Sequence, residues 1–86
     1  MIVHVGSVLH AYTGGRSKIE CAGRSVAAVL NDLDRQCPGA KFRVVDEQDR
    51  VRPHMKVFVG TRVVRSLAER VGASDEVHIL GALSGG

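Results

Sequence analysis

A change of hydrophobic period in the middle of the chain constrains the fold more than any other feature. Val26, Val29, Leu30, Leu33 and Cys37 fall at i, i+3, i+4, i+7 and i+11, one stripe of an α-helix, with Asn31, Asp32, Asp34 and Arg35 off it. Ser25 stands where a side-chain oxygen can cap the first turn, and Pro38-Gly39 stops the helix. On both sides the period is two. Ser17, Ile19 and Cys21 alternate with Arg16, Lys18 and Glu20, and Met55, Val57 and Val59 alternate with Lys56 and Phe58. Alternation of this kind marks half-buried strands. A helix with one apolar face, lying between strands with one apolar face, buries that face on the sheet they build.

The remaining segments fit around this core. Residues 2–9 are apolar and rich in β-branched types, which predicts a first strand. The "YTGG" of 12–15 supplies a glycine turn, so strands 2–9 and 16–21 are expected to form a hairpin. The stretch 42–53, with "DEQDR" at its centre, reads as a connection with at most a short strand or turn at 42–45. Residues 55–60 form a strand ended by a turn at Gly60-Thr61, and 62–64 return as a short strand. Residues 66–72 read as a single helical turn or short helix, 76–83 as the last strand, and the "SGG" of 84–86 as a flexible tail. This order predicts an α+β fold: a mixed sheet of four to five strands with one main helix packed on one face. It is the order of a β-grasp, the ubiquitin architecture, over 1–83, followed by the tail 84–86.

Composition narrows the partners. An 86-residue chain supports one modest core. Its only aromatic residues are Tyr12, Phe42 and Phe58, so that core is aliphatic. The formal charge of +3 is spread along the chain without interleaved aromatics, which argues against nucleic acid and suits an acidic protein partner. Arg50, Arg52, Arg62 and Arg65 are expected to form a solvated face, with steering toward such a partner as the alternative. No apolar run approaches a membrane span, and Met1 leads straight into "IVHV" without a basic segment, so neither a membrane nor a secretory signal is expected. Two cysteines without a CxxC pairing predict reduced thiols in a cytoplasmic protein.

No catalytic constellation stands out. There is no Ser-His-Asp order or paired-carboxylate motif, and "GGRS" lacks the Lys-Ser/Thr of a phosphate loop. Cys37 lies on the apolar stripe and Cys21 alternates inward, so both are expected to be buried and inert. His4, His10, His54 and His78 have no metal-ligand spacing. His4 and His78 can share the outer face of neighbouring strands, but a histidine pair without cysteine or carboxylate is expected to be solvent-exposed, and no metal site is predicted. Strand parity points His78, Leu80, Ala82 and Phe58 away from the core. Phe58 and Leu80 then either form an apolar patch for a partner, or Phe58 packs at a core edge.

The β-grasp order, the "DEVHILGALSGG" ending with its acidic residue, apolar run and terminal Gly-Gly, and the "VFVG" strand together resemble the ThiS/MoaD-type ubiquitin-like sulfur carrier proteins. The "TGG" of the first hairpin looks most like the branch that feeds cysteine biosynthesis. Where family members commonly show Asn-Gly after the central strand, this chain has Gly60-Thr61. The resemblance implies that Gly86 is the sulfur-accepting terminus and that Gly85 and Ser84 form the thread entering an enzyme; Leu83, Leu80 and Phe58, beside that tail or on the outward strand face, are the expected partner contacts. It implies an ATP-dependent E1-like activating enzyme that adenylates the carboxylate, a sulfur donor that leaves a thiocarboxylate, and a sulfur-acceptor biosynthetic enzyme. ATP and the sulfur donor are then used by the activating partner and not bound here, and the chain is a protein co-substrate, not an enzyme. Adenylation is needed because nucleophilic attack on a carboxylate adds charge to a group already negative. Glycine makes the slimmest thread, having no Cβ and little entropy to lose. As written, the chain is expected to need no trimming to expose Gly86. Three alternatives remain: a ubiquitin-like modifier, a small subunit of a molybdopterin-synthase-like complex, and a β-grasp binding module without tail chemistry.

Overall fold

In the computed structural model, which describes residues 1–81, five strands form one mixed sheet in the order β2-β1-β5-β3-β4. These are β1 (Ile2–Val5), β2 (Lys18–Glu20), β3 (Met55–Val59), β4 (Arg62–Val63) and β5 (Val77–Gly81). β1 and β5 pair in parallel at the centre, and the other pairings are antiparallel. Three α-helical segments accompany the sheet: α1 (His10–Thr13), α2 (Val26–Gln36) and α3 (Ala40–Val44). No helix among the described residues is long and apolar enough to cross a membrane. This is the β-grasp that the sequence predicts.

The stripe on α2 is buried from Val26 to Cys37, and the inward sets Met55, Val57, Val59 and Val77, Ile79 are buried beneath it. With Val3, Val5, Ile19, Leu30 and Leu33 they form one aliphatic core, each large side chain contributing about 1.5–3 kcal/mol by leaving water. Ser25 caps α2 as expected, its hydroxyl oxygen accepting from the Ala28 amide at 3.1 Å.

Three segments depart from their sequence reading. The first strand ends at Val5, and residues 7–13 coil into a 3₁₀ turn (Ser7–Leu9) followed by α1. In a continued strand, the parity that buries Val3 and Val5 would bury Ser7 as well. Coiling after Gly6 leaves Ser7 exposed while Leu9 and Thr13 reach the core. Gly14, at φ 67°, therefore terminates a helix and does not form a tight hairpin turn, although β1 and β2 do pair antiparallel. The stretch around Phe42 is helix α3, not strand or turn, because Ala40 and Val44 at i and i+4 are buried while Phe42 faces out beneath the Arg52 guanidinium, 4.6 Å from its ring centroid.

The third departure is 66–72, which is not helical. It runs past the start of α2, where the Leu67 carbonyl accepts from Ala27 N–H at 2.9 Å and the Glu69 carbonyl from Val26 N–H at 3.0 Å. The first amides of a helix have no partner within it. Here they take the carbonyls that a local helix at 66–72 would have used for itself. A carboxylate holds this segment in shape: Glu69 Oε2 accepts from the Arg65 and Ser66 amides at 2.6 and 3.3 Å, and Oε1 accepts from Arg62 Nε at 3.3 Å.

These amide bonds, then the Arg62 side chain, hold the Glu69 carboxyl below its ordinary value of 4.5. A carboxyl whose pKa is lower in the folded state contributes stability above its unfolded value and loses it as pH falls through the folded one. The urea midpoint of the native chain should therefore exceed that of Glu69→Gln at neutral pH, with the gap closing progressively as pH drops below 4.5. A gap independent of pH would assign the Glu69 effect to packing.

Candidate functional site on the outer sheet face

The sheet covers its helical face and leaves the opposite one open. Register aligns one row of side chains across all five strands on that open face: Val63, Phe58, His78, His4 and Lys18. Lys56 and Leu80 form the next row, beside Gly6, whose missing Cβ would lie 3.6 Å from Leu80 Cδ2. Leu80 is 45% exposed and Val63 40%, so both are apolar groups turned toward water. Phe58 is half-buried on this face. It pairs directly with His78 and sits diagonally from Leu80, a spacing within reach of an aromatic side chain. The structure thus brings Phe58 and Leu80 onto neighbouring strands of one face. Leu83, Ser84, Gly85 and Gly86, like Ala82, lie outside the described residues.

Sequence reading missed a carboxylate on this face. Glu76 precedes β5 and accepts, or shares, a hydrogen with His4 Nε2, while the His4 and His78 rings stack at 4.4 Å between centroids with planes 7° apart. The hydrogen bond to His4, followed by its charge, lowers the Glu76 pKa. The Glu76-Val77-His78 spacing puts both polar side chains on one strand face. Recognising their meeting with His4 also requires the parallel β1–β5 register.

Both cysteines are buried and free of disulfide. Burial first, then the nearby Asp32, pushes the Cys21 thiol up to about 11, the reverse of what a nucleophile needs. Several arginines are engaged locally: Arg62 with Glu69, and Arg52 with the Phe42 carbonyl at 2.7 Å.

β5 keeps its register with β3 as far as Gly81, opposite Met55. A side chain at Gly81 would force Val8 to shift, because a Cβ there would stand 2.9 Å from Val8 Cγ1 and 3.1 Å from Val8 Cβ. The 3₁₀ turn thereby packs directly on the end of the strand that leads toward the terminus.

Taken together, the fold and the open face define a ubiquitin-like β-grasp protein whose outer surface along β5 mixes apolar side chains with imidazoles and lysines. No protein-family model matches the chain. Comparison with individual proteins is specific. Sulfur carrier protein CysO from Mycobacterium tuberculosis and Mycobacterium bovis is 29% identical over 98% of this chain and 96% of its own length. A chain of the Amycolatopsis orientalis BexX/CysO complex superposes with a TM-score of 0.92 at 30% identity, covering 99% of this chain and 98% of that one. The crystal structure of Mycobacterium tuberculosis CysO gives 0.89 at 26% identity, covering 95% of this chain and 98% of that one. Small archaeal modifier protein 1 from Haloferax volcanii shares the fold, at a TM-score of 0.78 and 24% identity over 100% of this chain and 98% of that one. The chain belongs to the ThiS/MoaD-type family of ubiquitin-like sulfur carriers. Within it, the CysO relatives match the cysteine-biosynthesis branch, and they are named as carriers rather than enzymes.

The close approach at Gly81 yields a direct test. Gly81→Ala should lower unfolding stability by about 1–3 kcal/mol, the usual cost of overfilling a packed contact. Adding Val8→Ala should recover part of that loss in urea titrations. No recovery would mean that the strain lies elsewhere.

Proposed function

We propose that this carrier works through the carboxylate of Gly86. An ATP-dependent E1-like activating enzyme joins the carboxylate oxygen to the α-phosphorus of ATP, releasing pyrophosphate. Sulfur delivered at the sulfide level by a donor then forms a C–S bond at the acyl carbon as the C–O bond to AMP breaks. The resulting thiocarboxylate passes its sulfur to an acceptor enzyme of cysteine, cofactor or other metabolite biosynthesis in the cytoplasm. ATP and the sulfur donor belong to the activating partner, and this chain is a co-substrate. The observation that carries the reading is the end-to-end match to CysO sulfur carriers, which spans 98% of the chain.

Geometry supports it. β5, which leads toward the terminus, is paired with β1 as far as Ile79 and with β3 as far as Gly81, so a partner meets a fixed point of departure. Glycines 85 and 86 with Ser84 make a slim thread. Leu80 and Phe58, with Leu83 further along, supply apolar contacts beside that point. One relative occurs in a BexX/CysO complex, and a comparable carrier–enzyme complex is the role we assign to this face.

Intact mass before and after incubation with a cognate activating enzyme, ATP and a sulfur donor tests the reading. The expected gain is that of one oxygen replaced by sulfur, absent when Gly86 is deleted. Leu80→Asp should leave folding unchanged but raise the KM for the carrier about 10-fold or more, as loss of a central apolar anchor does. An unchanged mass, with an activating enzyme shown to turn over its own carrier, would overturn the thiocarboxylate reading. Isopeptide-linked conjugates without sulfur gain would favour a modifier instead.

A further inference from the structure

We propose that His4, Glu76 and His78 form a binding site for one divalent transition-metal ion of the zinc, nickel or copper class, on the outer face of the sheet. The Nε2 of His4 already meets a Glu76 carboxylate oxygen, and one ligand atom from each of the three residues lies within 4.8 Å of the others. Sequence spacing offers two histidines without a third donor, and the fold supplies the carboxylate. Two imidazoles and one carboxylate suit zinc, copper or nickel, whereas calcium and magnesium take oxygen donors throughout.

Rigidity makes this more than a chance meeting of surface side chains. His4 and His78 are directly paired residues of the parallel β1–β5 ladder, at the centre of the five-stranded sheet. Glu76 is anchored through its carbonyl, which accepts from Gly60 N–H at 2.7 Å. The three Cα positions are thus fixed by backbone hydrogen bonds independent of the side chains. Metal–ligand lengths of about 2.0–2.2 Å put neighbouring donors on a tetrahedral ion ~3.4 Å apart, so side-chain rotation alone closes the remaining gap. The rings stack 4.4 Å apart and within 7° of parallel, and because imidazole lone pairs lie in the ring plane, binding a shared ion requires them to tilt toward one another. The ion takes the place of the hydrogen between His4 and Glu76: a protonated His4 gives that proton to water, and a neutral His4 carries its one proton on Nδ1 instead. Three protein ligands leave a fourth position open to solvent or to a donor from outside the chain.

Titrating the full chain with Zn(II) alone, in a non-chelating buffer, tests the site. One equivalent should shift the ring resonances of His4 and His78 and leave those of His10 and His54 in place. Glu76→Gln and His78→Gln should each weaken Zn(II) binding by ~10-fold or more, and His54→Gln should not change it. Glu76→Gln keeps the backbone anchor, so it reads the site even where a histidine replacement disturbs the sheet. Unshifted His4 and His78 rings in excess Zn(II), shifts centred on His10, His54 or Cys21, or undiminished affinity in Glu76→Gln would each overturn the proposal. Neither ATP nor an activating enzyme is used, so its failure leaves the sulfur-carrier reading standing, and the reverse holds too.

Discussion

The parallel pairing of β1 with β5 is the contact on which the structure turns. A parallel pair cannot be closed by a short hairpin, so the chain between the two strands has to travel out and return. That travel carries α2 across one face and delivers β3 and β4 to the far side of β5. The same pairing buries Val3, Val5, Val77 and Ile79 together against the helix and sets His4 beside His78 on the other side. One register therefore defines both the core and the open face. A slip of one residue would exchange the two.

The two faces have different tasks, and their chemistry is divided accordingly. The helical face is aliphatic, filled by Val, Leu and Ile with the two thiols embedded among them. The open face mixes half-buried aromatic and imidazole rings with exposed Leu80, Val63 and lysines. Apolar groups set among charges are what a transient protein interface requires: enough burial to bind, enough polarity to remain apart in its absence. Placing that surface on β5 sets it on the strand that leads toward the Gly-Gly ending for which we propose the sulfur chemistry.

How much of this the sequence disclosed depended on the range of the interactions involved. The α2 stripe, its Ser25 cap and the parity of β3 and β5 are periodic or local, and they appear in the structure as read. The segments that misled are those whose local pattern answers to a distant partner. Residues 6–13 coil because Ser7 has no place in a core built by Val3 and Val5. Residues 66–72 form no helix because the Leu67 and Glu69 carbonyls serve another element. The Phe42 region is helical because Ala40 and Val44 are held in the core. The His4–Glu76–His78 meeting depends on a parallel register that links residues more than seventy positions apart, and no spacing rule reaches that far. For the Gly-Gly ending the balance is reversed: the sequence alone carries that reading, and residues 82–86 lie outside the described ones.

The completion of α2 by Leu67 and Glu69 has a consequence for how the molecule comes into being. At 11 residues α2 is shorter than the ~12–15 that an isolated helix needs in water, so a nascent chain that has just produced it holds it weakly. The carbonyls that satisfy its first amides are synthesised some forty residues later, and the central strand later still. Closing loops of that length must precede the contacts that reward it, which is the signature of slower, concerted folding rather than assembly piece by piece. On the ribosome, the sheet would remain unfinished until β5, its central strand, had emerged.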